Sequence, residues 1–328
     1  KRGIKMTTLK KIVCLALIIC LASATLFAQS NTETTTKAKT YNVGICQLVQ
    51  HAALDAASQG FMDAIDDAMG KGTVKYDYQN ASADAATCTT IVNGFVASNV
   101  DLILANATLP LQTAAAATGD IPILGTSVTN YQVALDMPNM GKATGVNISG
   151  CSDLAPIDEQ AKMIVEIFPN TKQVGLLYCS AEPNSVYQIE LMEEALDKMG
   201  INHTRYAFAD SNDVGSVTAS ACEKSEVIYI PTDNTAASCT EAVRNIVEPA
   251  RIPVIAGEEG ICSGCGIATL SISYYDLGYS TGKMAVEVLN GADISKMEIR
   301  FADKVTKKYN EELCQLYGIT VPADYVKI

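Results

Sequence analysis

Short apolar runs alternate with amphipathic segments from about residue 41 to the C-terminus. The apolar runs occupy residues 42–46, 102–105, 121–125, 173–178, 226–230 and 252–256. Runs of this length between turn residues are typical of strands that are buried on both faces of a parallel sheet. Residues 84–98 and 186–199 carry apolar side chains at helical spacing. The alternation predicts an α/β fold with right-handed crossovers.

The alternation runs once to about residue 148 and restarts near Pro156. A chain of 328 residues also exceeds what one hydrophobic core usually organises. We therefore predict two doubly wound, Rossmann-like lobes.

The N-terminus carries the pattern of a secretory signal. Two lysines precede a short uncharged apolar run, and small residues follow it. We predict a signal peptide over residues 1–28 and a flexible Thr- and Ser-rich linker over residues 29–40. Cleavage after Ala24, cleavage after Ala28 and lipidation of Cys20 remain alternatives, so the protein is expected outside the cytoplasm, either free or as a membrane-anchored lipoprotein.

The chain is acidic, with a formal net charge of −12. Residues 1–28 hold five Lys or Arg and no acid, so their removal would give −12 − 5 = −17. Nucleic acids and anionic membrane surfaces are bound mainly through Lys and Arg, so neither is an expected partner.

The eleven cysteines do not form an obvious disulfide framework. Nine lie outside the predicted signal, an odd number at irregular spacing, and Cys46 and Cys88 occupy core-like positions. The close pair Cys262 and Cys265 is compatible with a local disulfide or with two reduced thiols. The chain has only two histidines, far apart in sequence, so no metal site is predicted.

Polar residues follow the predicted strands, where ligands bind in open parallel sheets. Hydroxyl side chains and free backbone N–H groups at helix starts suit a carboxylate. Asp233 and Glu258 are alternatives for holding an ammonium group, so the two halves of the site fit a zwitterionic amino acid. Thr108, Asn184, Thr232 and Asp233 are equally suited to helix capping, and His51 to an ordinary surface position.

Signals for catalysis are weak. Neither Gly-x-Gly-x-x-Gly after the first strand nor a phosphate-binding Gly-x-x-x-x-Gly-Lys-Ser/Thr motif is present, and there is no Gly-x-Ser-x-Gly elbow. Adjacent Glu258 and Glu259 point to opposite sides of an extended segment. We predict neither an enzyme nor a cofactor.

Several separated blocks carry a resemblance to a known family. They are QLVQHAALD at 47–55, AT at 107–108, IPI at 121–123 leading into SVT at 127–129, NSV at 184–186, PTDNT at 231–235 and AGEEG at 256–260. Through them the chain resembles substrate-binding proteins of ABC transporters, in the tryptophan- and tyrosine-type group with the type I periplasmic-binding fold. The similarity spans about residues 41–320. Asn130 and Tyr131 depart from the family's common Asp-Pro.

The resemblance implies a two-lobed protein that closes on a ligand around a hinge. Lobe 1 would comprise residues 41–148 plus 274–297, and lobe 2 residues 149–273 plus 298–328. The chain would cross between lobes near residues 146–149, 271–274 and 296–300.

The resemblance also implies roles for single residues. Thr108, Ser127 and Thr129 would bind the ligand carboxylate, and Leu48 and His51 would border its side chain. The amino group and remaining polar atoms would fall to Asn184, Ser185, Thr232 and Asp233. The implied partners are an amino acid, most naturally Tyr, Trp or Phe, and a membrane permease; the protein itself is expected to be a monomer. A ligand-sensing ectodomain, or a binding protein for a branched-chain amino acid or nucleoside, is the alternative.

Overall fold

A computed structural model describes residues 40–302 and 304–328. The predicted signal peptide and all of the linker except Thr40 lie outside the described residues. Within the part described, no helix combines the length and the hydropathy needed to cross a bilayer.

Lobe 1 is built on a six-stranded sheet. Its strands are β1 (Tyr41–Gln47), β2 (Val74–Asn80), β3 (Leu102–Asn106), β4 (Ile123–Val128), β5 (Ile148–Ser152) and a late strand, Arg300–Phe301, numbered β11. They lie in the order β11-β5-β4-β3-β1-β2, and every neighbouring pair is parallel. The helices of this lobe are α1 (Ala52–Met69), α2 (Ala85–Ala97), α3 (Thr108–Ala117), α4 (Tyr131–Ala134) and the late α11 (Tyr274–Leu289).

Lobe 2 is built on a seven-stranded sheet. Its strands are β6 (Gln173–Cys179), β7 (Asn202–Phe208), β8 (Val227–Ile230), β9 (Val254–Ala256), β10 (Ala268–Ser271), β12 (Thr306–Tyr309) and β13 (Val326–Lys327). Their order is β13-β12-β10-β9-β8-β6-β7, with only the β10–β12 pair antiparallel. Its helices are α5 (Ile157–Ile167), α6 (Pro183–Met199), α7 (Val214–Cys222), α8 (Asn234–Ser238), α9 (Thr240–Ala250), α10 (Glu259–Cys265) and α12 (Glu311–Tyr317). A short 3₁₀ turn, Ile294–Lys296, follows α11.

Each sheet is covered by helices on both faces, which gives each lobe two apolar layers. One layer of lobe 1 is centred on Phe61 and Leu104, and the other on Phe95 and Ile103. Strands such as β3 and β4 are buried along their whole length because helices cover both of their faces. The predicted α/β fold with two doubly wound lobes is confirmed.

Helices α1 and α11 pack with their backbones in close approach. A Cβ atom built on Gly278 would lie 1.9 Å from the carbonyl oxygen of Ala57, and one built on Gly60 would lie 2.1 Å from that of Tyr275. Glycine is required at both positions because any side chain would collide with the opposite backbone. This contact attaches the C-terminal part of lobe 1 to its first helix.

The three connections between the lobes correct two of the expected boundaries. Strand β5 pairs with β4, so the first connection runs from Ser152 to Ile157 instead of through residues 146–149. Strand β11 pairs with β5, so the third runs from Phe301 to Thr306 instead of through residues 296–300. Neither strand has the apolar pattern by which strands are predicted from sequence. Strand β5 consists mostly of small residues, and β11 has only two residues. The second connection joins Ser271 to Tyr274.

Candidate ligand-binding cleft

In lobe 1 the carboxyl ends of three adjacent strands bring their loops together. The backbone N–H of Leu48, after β1, donates to the carbonyl of Asn106 at 3.2 Å. The backbone N–H of Ala107, after β3, donates to the carbonyl of Thr126 at 3.0 Å. Leu48 packs against Ala107 and Leu54 in a small apolar cluster, and Thr108 begins α3 with its side chain buried.

Two of these loops contain non-glycine residues at positive φ. Ala107 has φ 105° and Ser127 has φ 55°, and both are buried. Ser127 lies where the register between β4 and β5 shifts, between Gly125 and Val128. Such conformations cost of order 1–3 kcal/mol each and persist where the surrounding structure enforces them, commonly at binding sites. These two strained residues therefore lie at the sheet edge where the sequence predicts ligand contacts.

In lobe 2 the corresponding edge is organised by buried carboxylates. One Glu182 oxygen accepts from Thr235 N and Oγ1, at 2.8 and 2.7 Å, and the other from Asn234 N and Nδ2, at 3.1 and 2.7 Å. Asn184 Nδ2 donates to Glu182 at 3.0 Å and to the carbonyl of Thr232 at 3.2 Å. These bonds fix the loops after β6 and β8 relative to each other. Sequence reasoning did not single out Glu182, although it lies in the loop that was highlighted.

Asp233 has a structural role in this network. Its Oδ2 accepts from Cys179 N at 2.6 Å and its Oδ1 caps α8 by accepting from Ala236 N at 2.8 Å. Ser185 also hydrogen bonds to it. Burial, with the Glu182 charge, raises the pKa of Asp233. Both of its oxygens therefore accept hydrogen bonds inside lobe 2, which favours a structural role for Asp233 over contact with a ligand ammonium.

Glu258 is likewise a helix cap. Its carboxylate accepts from the backbone N–H groups of Gly260 and Ile261 at the start of α10. Burial raises the pKa of Glu258, whereas the nearby His51 and these N–H groups lower it. Its neighbour Glu259 turns away and pairs with Lys308. Glu258 thus lies beside the cleft, with both oxygens engaged inside lobe 2.

Side-chain hydrogen bonds cross directly between the lobes. His51 Nε2 lies 3.2 Å from Asn234 Oδ1. Gln188 Nε2, on α6, lies 3.4 Å from Thr129 Oγ1, at the end of β4. Gln188 also receives the backbone N–H of Thr232 at 3.1 Å, which makes it a bridging residue that the sequence analysis missed. Helix α4 contacts α6, and α1 contacts α10. The lobes are therefore in a closed arrangement.

Three buried polar atoms beside these bridges have no hydrogen-bond partner within the described part of the chain: His51 Nδ1, Ser127 Oγ and Asp153 Oδ1. The loops of Ser127 and Asp153 touch, since Asp153 N donates to the carbonyl of Val128 at 3.3 Å. Both His51 and Asp153 lie close enough to Glu258 for their charges to interact with it. Buried polar atoms are normally paired, so these three unpaired atoms make the interface a candidate place for a polar ligand.

Asp153 is the central residue of this group. It lies in the first connection between the lobes and is 3% exposed. Its Oδ2 accepts the hydroxyl of Tyr274, in the second connection, at 3.0 Å, and the Thr129 hydroxyl lies close enough to the carboxylate to lower its pKa. Burial raises the pKa of Asp153 to about 6. One carboxylate thus joins two hinge segments and keeps one oxygen free.

A separate cavity of about 470 Å³ lies beside the first and third connections. Its walls include Met140, Ile299 and Phe301, together with Thr129. None of the three unpaired atoms lies in its walls. We therefore keep it distinct from the candidate site, which is the set of loops that meet between the lobes.

The fold and this interface are those of a two-lobed binding protein. The sequence profile of ABC transporter substrate binding proteins matches residues 42–327. The tyrosine-binding protein of Clostridioides difficile strain R20291 is 34% identical over 303 residues, which are 92% of this chain and 88% of that protein. The chain belongs to the ABC transporter substrate-binding protein family. The family consists of extracytoplasmic binding proteins without enzymatic activity, as the sequence predicted.

Two solved structures allow a comparison of lobe arrangement. A Streptococcus pneumoniae protein in complex with L-Trp is 30% identical, with a TM-score of 0.83 over 87% of this chain and 96% of that one. The ligand-free, open structure of a Clostridium difficile substrate-binding protein with adhesive properties is 34% identical, yet its TM-score is 0.68 over 88% of this chain and 99% of that one. The lower score against the open structure, despite the higher identity, agrees with the direct contacts between the lobes seen here.

Proposed function

We propose that this protein captures a free aromatic α-amino acid between its lobes and delivers it to the membrane permease of an ABC importer. The observation that carries the proposal is the buried carboxylate of Asp153, whose Oδ1 has no partner among the described residues. An ammonium group would supply both the charge and the hydrogen bond that this oxygen lacks. Asp153 thereby takes the role that the sequence analysis gave to Asp233.

The remaining contacts follow from which groups are free. Ser127 Oγ is unpaired and Thr108 begins α3, so we assign these two residues to the ligand carboxylate. Thr129 is hydrogen bonded to Gln188 and lies beside Asp153, which makes it a support for the ammonium site. Asn184, Ser185 and Thr232 hold the loops of lobe 2 in place.

His51 and Leu48 are assigned to the ligand side chain. Asn234 donates a hydrogen bond from Nδ2 to Glu182. This bond orients the Asn234 amide so that Oδ1 faces His51. Because an amide oxygen only accepts, His51 Nε2 carries the proton of this bond, and in the neutral ring Nδ1 is left as an acceptor. Support for an aromatic ligand comes from the relatives, one of which is a tyrosine-binding protein and another a complex with L-Trp.

The ligand class is tested by thermal shift and calorimetry with the twenty amino acids, a sugar and a nucleoside, since a ligand that binds only the folded state raises its stability. We expect the largest shift from L-Tyr, L-Trp or L-Phe, and none from N-acetyl-L-Tyr, which lacks the ammonium group. Equal binding of L-Tyr and N-acetyl-L-Tyr would reject the ammonium site. A shift with the nucleoside or the sugar alone would reject the ligand class.

The site is tested with Asp153→Asn and a matched control, Asp158→Asn, an exposed acid in the first turn of α5. Truncating one member of a buried charge pair costs about 2–5 kcal/mol of binding, so Asp153→Asn should weaken amino-acid binding by that amount. Asp158→Asn should bind normally. An unliganded melting temperature of Asp153→Asn at or above that of the wild type would show that the variant is folded.

A further inference from the structure

Two cysteine sulfur atoms touch inside lobe 1. Cys46 Sγ, on β1, lies 3.6 Å from Cys88 Sγ, on α2, and both residues are fully buried. They are 42 residues apart in sequence. Cys88 also hydrogen bonds through its thiol to Thr113 Oγ1 at 3.5 Å.

Cys262 and Cys265, which are close in sequence, form hydrogen bonds to backbone carbonyl groups. Cys262 Sγ donates to the carbonyl of Gly266, and Cys265 Sγ to that of Ile261. Cys314 Sγ donates to the carbonyl of Ile267. Each of these thiols is bonded to nearby backbone, so the spatial pair is not the one that the spacing of the sequence suggested.

We infer that Cys46 and Cys88 form a disulfide when the protein folds in an oxidising extracytoplasmic environment. A disulfide has a sulfur separation of about 2.05 Å, so the two atoms must approach by roughly 1.5 Å from their present 3.6 Å. The inference requires side-chain rotation to supply this movement. The backbones stay fixed because Cys46 pairs with Gln79 and Ala105 on the neighbouring strands, and Asp84 caps α2.

The reaction is an exchange with a small-molecule disulfide, RSSR, such as oxidised glutathione. The Cys88 thiolate attacks one sulfur of RSSR, which releases one RS⁻ and leaves a mixed disulfide on Cys88. The Cys46 thiolate then attacks the Cys88 sulfur and releases the second RS⁻. Both protein thiols are oxidised by one electron each, RSSR is reduced to two RSH, and the two thiol protons end on these products.

Because both sulfurs are buried in the folded lobe, the exchange takes place during folding, before α2 covers β1. The bond would then hold α2 against the strand that leads into Leu48 and His51. It closes a loop of about 40 residues in the unfolded chain, which is the situation in which a cross-link stabilises most.

The test uses the full chain refolded in a glutathione redox buffer and, in parallel, exported to a bacterial periplasm. Free thiols are blocked with N-ethylmaleimide in denaturant, and the digest is analysed by mass spectrometry. We expect a cross-linked peptide pair joining Cys46 to Cys88, two hydrogens lighter than the separate peptides and split by dithiothreitol. Maleimide on both residues after refolding in oxidised glutathione would overturn the inference.

Thermal unfolding gives an independent readout. Reduction should lower the melting temperature of the wild type by roughly 5–10 °C and leave that of Cys88→Ala unchanged. Cys262→Ala is the matched control, a buried cysteine of lobe 2 that should keep the full response to dithiothreitol. An equal response in Cys88→Ala would also contradict the inference.

Discussion

The imidazole Nε2 of His51 lies 3.2 Å from the side-chain oxygen of Asn234, and the two residues belong to different lobes. The Asn234 amide is held from the other side by Glu182, at 2.7 Å. A carboxylate inside lobe 2 thus orients an amide that meets a histidine of lobe 1. This bond exists only while the lobes are closed, so it favours the closed state in the population of conformations.

Replacing Asn234 by Ala should therefore shift the unliganded protein toward the open form. A net hydrogen bond contributes about 0.5–1.5 kcal/mol, so ligand affinity should fall by up to about tenfold. Small-angle X-ray scattering of the unliganded variant should give a larger radius of gyration than the wild type. The exposed Asn93→Ala on α2 serves as the control and should alter neither quantity. A compact variant with wild-type affinity would show that this bond does not support closure.

Ligand affinity should depend on pH through Asp153. Its pKa in the unliganded protein is raised to about 6 by burial, and an ammonium group binds the ionised form. Affinity should thus fall as the pH drops through 6, by roughly tenfold between pH 7 and pH 5. Calorimetry across this range checks the effect, and Asp153→Asn should show a flatter profile. An identical slope in that variant would assign the titration to another group.

The same carboxylate has the opposite effect on the unliganded protein. Because the folded pKa of Asp153 lies above its unfolded value of about 3.8, the neutral form is preferred in the fold. Its contribution to the free energy of unfolding is complete below pH 3.8 and is lost as the pH rises through 6. Comparing wild-type and Asp153→Asn unfolding curves with pH isolates this contribution from those of Asp233 and Glu258.

Asp233→Ala should reduce stability more than it reduces ligand affinity. The substitution leaves the backbone N–H groups of Cys179 and Ala236 without an acceptor, and an unsatisfied buried donor costs about 1–3 kcal/mol. Denaturant unfolding measures the loss. Asp84→Ala is a matched control, because Asp84 caps α2 at an exposed position and its removal costs only the capping energy of about 0.5–2 kcal/mol. If Asp233→Ala abolished binding in a stably folded protein, Asp233 would be a ligand contact after all.

The sequence predicts the interior of the fold better than its edges. Fully buried strands such as β3 and β8 appear as apolar runs because both of their faces are covered. The outer strands β2 and β7 are mostly exposed and polar, so hydropathy does not distinguish them from loops. For β5 the pattern fails in another way, since this buried strand between β4 and β11 has mostly Ser, Gly and Cys where large apolar side chains would mark a strand.

For the site, the sequence identifies the loops but not the role of each side chain. Thr108, Ser127, Thr129 and Thr232 all lie at the predicted strand ends. Whether an acid caps a helix or faces a ligand depends on which N–H groups lie within reach, and only the three-dimensional arrangement determines this. Asp233 and Asp153 show the difference: both follow strands, yet the first has two backbone donors and the second has an unpaired oxygen.

The close packing of α11 on α1, which Gly60 and Gly278 permit, affects the order in which the lobes are completed during synthesis. The apolar side of α1 emerges early in synthesis, but its covering helix, Tyr274–Leu289, emerges only after most of lobe 2. Lobe 1, which is started first, is accordingly completed only after most of lobe 2 has been made. A nascent chain stopped before residue 274 leaves this side of α1 uncovered, and exposed apolar surface of this kind makes an incomplete chain prone to aggregation.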